Sequence, residues 1–426
     1  MDTALKANVA IAPSDGSLAK KIFIGILVAA AIYGLYRLAM FLASTYYDSK
    51  ATIPTAANNA RIAAEQIAKL DPIYVNKGNL PAAQIGADLP IEEKALINYN
   101  ILGNRLAGYI GPLESGVFAE DDAIRIAMRA GCRVFMLPID KLQSAESPML
   151  IVRNHNGDKI SNNEGSILKV CEAIDKYAPK GAAADPIIIV LYFNTLPSAN
   201  PYDQRSLKFM MDVAAGLAPL KNRHLGLTAE GDYRRQKMQD MLFLRPRAEF
   251  DGKYIILTNA DTKGFREGVL PARPEGLVPA LDLDLWTHGR LYAKTSQGLG
   301  ITTTPSGAMT SAPVLESMDY YMSLPDTKLP DIVAQSKVDW SVEAGTSAQP
   351  TPEQLERLLD KLGVACVMVD FFAEQQNLAP TEKYFSKSGF RLKPADLRYK
   401  VPKPINIPAP PPQLNANGGF VQSPKV

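Results

Sequence analysis

Histidine is scarce in this chain of 426 residues: His155, His224 and His288 are the only three. A hydrolase that moves protons through imidazoles usually needs two of them in one place. His155 lies in Arg153-Asn154-His155-Asn156-Gly157-Asp158, a turn-forming stretch, with Lys159 next in line. That makes His155 the candidate acid–base group. Arg153 and Lys159 are candidate substrate-binding cations for a phosphate, the alternative being solvated charges, and Arg133 is a third cation of the same kind. The cysteines, Cys132, Cys171 and Cys366, have no CxxC spacing and sit in apolar surroundings. They read as packing residues and exclude a disulfide scaffold or a Cys-rich zinc site. HExxH, GxSxG and GxxxxGK[ST] are all missing. A formal net charge of +2 gives no electrostatic case for nucleic acid or a strongly acidic substrate. With 46% hydrophobic and 21% charged residues, the chain has the composition of a folded globular protein.

Whatever positions these groups must be built from the elements around them. Ile22 to Ala43 is almost unbroken in apolar character up to Arg37, with Lys20 and Lys21 on one flank and Tyr46 and Tyr47 on the other. As a helix it would span ~33 Å, against a hydrocarbon core of ~30 Å. The reading is a transmembrane helix over 22–44 and a single-pass membrane protein, beside two alternatives: a cleaved signal peptide and a buried core helix. Lysines and arginines on both sides leave its orientation open. Residues 1–20 read as a flexible tail and 50–94 as a helical stalk and linker. From 95 onward short apolar runs alternate with helical segments. Cys132–Leu137, Met149–Val152, Pro186–Phe193, Lys253–Leu257 and Val364–Val369 read as strands buried on both faces. Asp121 or Asp122 would N-cap the helix that follows, with Gly131 past its end. Thr351-Pro352-Glu353-Gln354 is a capping box, with Gly363 closing its helix. Residues 260–282 and 302–350 read as Pro-, Ser- and Thr-rich insertions, and 399–426 as a Pro- and Asn-rich disordered tail. Strands alternating with helices over 95–398 imply a TIM-type (β/α)8 barrel with loop insertions, an α/β fold.

Several of these segments resemble the catalytic barrel of phosphoinositide-specific phospholipase C. Ala123–Met136 (AIRIAMRAGCRVFM), Pro148–Ala178 (PMLIVRNHNGDKISNNEGSILKVCEAIDKYA), Pro186–Asn194 (PIIIVLYFN), Leu362–Glu374 (LGVACVMVDFFAE) and Gly389–Arg398 (GFRLKPADLR) are similar to its motifs and fall in the same order. The resemblance implies a phosphodiesterase in which two histidines move protons and a Ca²⁺ held by Asn and three acids neutralises charge. Residue by residue, it places Gly103 at the first histidine and Asn104 at the calcium-binding Asn. Met136, Pro138 and Tyr192 fall at the acidic ligands. His155 reaches the second histidine's place only after a shift of the strand, Val152 standing there otherwise. Glu114, Asp122, Asp140 and Asp158 are substitutes, none expected at a strand end in the right register. No resident cofactor is therefore expected, although active relatives use Ca²⁺. The leading expectation is a membrane-anchored, phospholipase C-like barrel that is catalytically inactive and binds or supports something, in a cellular or virion membrane. Its partners would be the membrane and an inositol lipid headgroup or a protein, not nucleic acid. The alternatives are an active phosphoric diester hydrolase rearranged around His155, and an unrelated α/β protein.

Overall fold

The structure, a computed structural model, describes residues 21–39 (except 22 and 25), 56–74, 77, 80–142, 146–154, 156–181, 183–198, 200, 202–226, 241–262, 279–293, 313–344, 349–371 and 379–401. The tail read at 1–20 lies outside them, as does the tail read at 399–426 apart from 399–401. The chain divides into two compact units, Met1–Asn59 and Ala60–Val426.

In the first unit the described residues within 21–39 are helical and their apolar side chains are exposed. Here the sequence reading is corrected. No helix among the described residues is long and apolar enough to cross a membrane. The single-pass transmembrane assignment for 22–44 is therefore withdrawn.

In the second unit eight parallel strands form a curled sheet: β1 (Tyr99–Asn104), β2 (Val134–Asp140), β3 (Ile187–Phe193), β4 (Tyr254–Thr258), β5 (Gly289–Arg290), β6 (Val314–Glu316), β7 (Ser341–Glu343) and β8 (Cys366–Val369). Strands β1 to β5 pair in sequence order, and β6 pairs β7, β7 pairs β8 and β8 returns to β1. A parallel bridge between Tyr292 and Val314 joins β5 to β6. The architecture is an α/β TIM-like barrel.

Alternation along each strand sorts the apolar side chains into two cores. Ile101, Val134, Val190, Leu257, Leu315 and Met368 point into the barrel. Leu102, Phe135, Leu191, Ile256 and Val367 point out and pack against the helices. Those are α1 (Ala56–Leu70), α2 (Glu120–Ala130), α3 (Ile167–Tyr177), α4 (Gln204–Gly216), α5 (Leu329–Ser336) and α6 (Pro352–Leu355), which runs on as a π-type turn over Glu356–Lys361. Helix α1, within the stretch read as stalk, buries Gln66 and Leu70 and lays Ile62, Ala63 and Ile67 on the outer core. At the N-terminal end of the strands Phe243 and Trp340 stack at 4.6 Å and help fill the barrel floor.

Local signals decide the element ends. Gly131 takes a left-handed φ of 102°, which stops α2 where a side chain would be strained. The N-cap of α2 is Ala119, so Asp121 and Asp122 stand in its first turn, where they offset the helix dipole without capping it. Thr351 and Gln354 form the reciprocal capping box that starts α6. Met149–Leu150 is a short antiparallel strand on β2 and not a barrel strand. The stretch 302–350, read as an insertion, contains β6, β7 and α5.

Candidate functional site

In a parallel barrel the side chains that can do chemistry gather at the C-terminal ends of the strands. Position 103 of β1 points inward there, sharing its face with Ile101. A Cβ on Gly103 would lie 2.3 Å from Met368 Sδ, 3.1 Å from Cys366 Sγ and 3.3 Å from Val134 Cβ. The space that the resemblance gives to the first histidine is thus filled by a thioether from β8. Met136 is buried in the same inner core, and Tyr192 packs against it half-buried, its phenol pKa pushed up by burial. Two of the positions that the resemblance gives to acidic ligands are therefore part of the barrel's packing. The third, Pro138, lies within β2 and pairs with Tyr192 in the sheet register.

Charge returns just above this layer, as two ion pairs. Arg105, one residue past β1, donates from Nε at 3.1 Å to each carboxylate oxygen of Asp370, one residue past β8, and also pairs with it through Nη2. Asp370 is buried, and desolvation holds its carboxyl pKa above the ordinary range while Arg105 pulls the other way. Asp140, the last residue of β2, pairs with Arg153 Nε. The other two nitrogens of Arg153 donate to the carbonyl oxygens of Gly157 at 2.8 Å and Lys141 at 3.3 Å. Lys159 pairs with Glu164 and bridges back to Arg153 through the backbone. Both candidate substrate-binding cations thus stand at the mouth, and both are engaged in holding the turn. His155 lies outside the described residues. The turn around it is fixed at the mouth: Ile151 N donates to Pro138 O at 3.0 Å, and Asn194 Nδ2 donates to Ile151 O at 3.0 Å.

Asn104, the candidate metal ligand, is buried at the end of β1 with Phe135 and Val369 as its register partners. Among the described residues no group of three or more His, Cys, Asp or Glu side chains could hold a metal ion. One expectation about the acids is corrected: Asp140 does end a barrel strand, because β2 runs three residues beyond Leu137, through Pro138. Arg133 is corrected as well. It precedes β2, at the opposite end of the barrel, and forms a buried pair with Asp185 at 2.9 Å. The mouth pair Arg105–Asp370 was missed by sequence reading. The signal for it was a charged residue directly after an apolar strand, Asp370 following VACVMV.

The remaining histidines are remote from the mouth. His224 pairs beside Tyr254, at the start of β4, and His288 directly precedes β5. Their rings lie 4.5 Å apart in the wall of the barrel, both buried. His288 Nδ1 accepts from Ile256 N at 2.9 Å, so its Nε2 carries the proton donated to Leu225 O. His224 Nε2 meets Trp286 O at 2.7 Å.

No protein-family model matches the sequence, and no curated protein matches it. Solved structures do match. The crystal structure of L. pealei PLC21 is 15% identical with a TM-score of 0.50, over 76% of this chain and 40% of that one. S. officinalis PLC21 is 14% identical with a TM-score of 0.48, over 75% and 39%. A calcium-dependent phosphoinositol-specific phospholipase C from a Gram-negative bacterium, Pseudomonas sp, is 11% identical with a TM-score of 0.41, over 72% and 97%. The chain spans about two fifths of the length of the first two. At such identity the likeness is one of fold: this is a phospholipase C-like barrel.

Proposed function

We propose that the barrel does not run metal-assisted phosphodiester cleavage and serves as a binding or structural component, with an inositol lipid headgroup as its candidate ligand. The single observation behind this reading is Met368 Sδ lying where a side chain at position 103 would begin. A missing acid–base partner costs ~10²–10⁴-fold in rate. Loss of a Lewis-acidic metal removes several kcal/mol more of transition-state stabilisation. A barrel without both would work near the uncatalysed rate. Asn104 alone offers one neutral oxygen to a cation that takes about six to eight.

The experiment is a thermal melt of the full-length protein in millimolar Ca²⁺ and in chelator. Identical melting temperatures are expected. A bound ion at 100-fold excess over its dissociation constant would add ~2.7 kcal/mol, so a rise of several degrees that chelator reverses would contradict the reading.

A second reading, a phosphodiesterase rearranged around His155, is favoured by one observation: residues flanking His155 are tied to the mouth, Arg153 by its pair with the buried carboxylate of Asp140 and Ile151 by its hydrogen bond to Pro138. It requires turnover of a soluble aryl phosphodiester that falls at least ~10²-fold in His155→Ala.

A further inference from the structure

The turn at the mouth contains an Asn-Gly step, Asn156-Gly157, between Arg153 and Lys159, which face each other in an antiparallel bridge. Asn154 ties this turn through its side chain. Its Oδ1 accepts from Asn156 N and from Asp158 N, each at 2.9 Å, and its Nδ2 donates to Asp158 Oδ2 at 3.2 Å. Asn156 gives the network only its backbone. The residue is exposed, and its carboxamide has no hydrogen-bond partner among the described residues. Gly157 is exposed as well. Its φ of 86° is left-handed, and a Cβ built on it would meet nothing within 4 Å. The asparagines nearby differ on both counts. Asn162 Nδ2 donates to Ser115 O at 2.6 Å, and Asn163 Oδ1 accepts from Phe118 N at 2.7 Å. Asn154, Asn162 and Asn163 are followed by His155, Asn163 and Glu164 instead of glycine.

We propose that Asn156 is a site of spontaneous modification, at which the chain loses ammonia, takes up water and becomes aspartate or isoaspartate. The nitrogen of Gly157 attacks Cγ of Asn156, a five-membered imide closes, the Cγ–Nδ2 bond breaks, and ammonia leaves with the amide proton. Water then opens the ring. Cleavage between nitrogen and Cγ yields aspartate, and cleavage between nitrogen and the main-chain carbonyl carbon yields isoaspartate. Glycine favours the attack because no side chain crowds its nitrogen and its backbone turns freely. The fold applies one brake: Gly157 N donates to Asn154 O at 3.0 Å and must leave that bond first. Opening of an exposed turn takes far less free energy than global unfolding, so the brake slows the reaction without stopping it. The isoaspartate product alters the mouth. It routes the backbone through Cγ and inserts one carbon before Gly157, which pulls this residue from its bond to Asn154 and from Arg153 Nη1, the donor to its carbonyl at 2.8 Å. A carboxylate is added beside a cation that has lost one of its anchors.

The test holds the full-length protein at neutral pH and at pH 9 for two weeks, then digests it in acid, where the reaction is slow, and maps the peptides by mass spectrometry. Asn156 should gain about one dalton, faster at pH 9 because base removes the amide proton, and both aspartate and isoaspartate should appear. Asn154, Asn162 and Asn163 should stay intact. Asn156→Gln, whose ring would need six members, should abolish the change on this timescale. Asn154→Ala, which unties the turn, should speed it several-fold. The Gly157 amide should lose its protection from hydrogen exchange in the isoaspartate product and keep it in Asn156→Asp. An unmodified Asn156 at pH 9, modification no faster than at Asn154, or an unchanged rate in Asn154→Ala would overturn the proposal.

Discussion

Position 103 sets the character of the mouth at the scale of single residues. A glycine there lets Met368, Cys366 and Val134 crowd the space that a side chain at position 103 would take, so that the three form one packed unit. Gly103→Ala forces a methyl group into that unit and should cost about 1–3 kcal/mol, as overpacking of a filled core does. Met368→Ala alone should cost about 2–5 kcal/mol as a buried truncation. The double variant should be markedly more stable than the sum of the two, because the new methyl occupies room the methionine has vacated. Urea melts of the three variants check this, and simple additivity would mean that the residues do not compete for the same space.

Lys393 offers a second test at this scale. It is fully buried, its Nζ donates to Ser336 O at 3.1 Å at the end of α5, and burial pushes its pKa down to about 7. An unfolded lysine titrates near ~10.4. Between these two values the unfolded chain holds the proton and the folded one does not, so this residue makes stability rise with pH across that window. The difference in unfolding free energy between the parent and Lys393→Met, measured from pH 7 to 10, should shift in the parent's favour as pH rises, by an amount on the order of a few kcal/mol. A difference that stays flat would show that the amine keeps its proton in the fold.

Among the elements, legibility in the sequence follows length and burial. Strands β2, β3, β4 and β8 announce themselves as apolar runs because they are covered on both faces. Strands β5, β6 and β7 hold two or three residues each. With Pro, Ser and Thr around them they leave no run to detect, and their existence is a consequence of barrel closure. Caps are legible when the side chain itself carries the signal. Thr351 reads correctly, and Thr351→Ala should cost about 0.5–2 kcal/mol in a thermal or chemical melt. A change within error would mean that Pro352 and the packing of Leu355 and Leu358 hold the helix start without it. Ala119 at the start of α2 has no such signal. The mouth shows the same division. Its losses, at Gly103, Met136, Pro138 and Tyr192, are visible in order along the chain. Its gains, Arg105 with Asp370 and Arg153 with Asp140, join residues 265 and 13 positions apart and exist only once the strands are side by side.

For the whole molecule, the barrel is shared with phospholipases C, and fold does not carry function across. An apolar run near the N-terminus looked like a membrane span by length and hydropathy, yet no helix among the described residues meets that requirement. What remains central is chemical: in this fold Met368 fills the space at position 103, and Met136 and Tyr192 pack in the barrel at two of the positions the resemblance gives to acidic ligands. Release of inositol phosphate from phosphatidylinositol by the full-length protein, with and without Ca²⁺ across pH 5–9, tests that most directly. The expected result is no release above the uncatalysed rate under any condition. Calcium-dependent release with a bell-shaped pH profile, in protein free of contaminating activity, would contradict it.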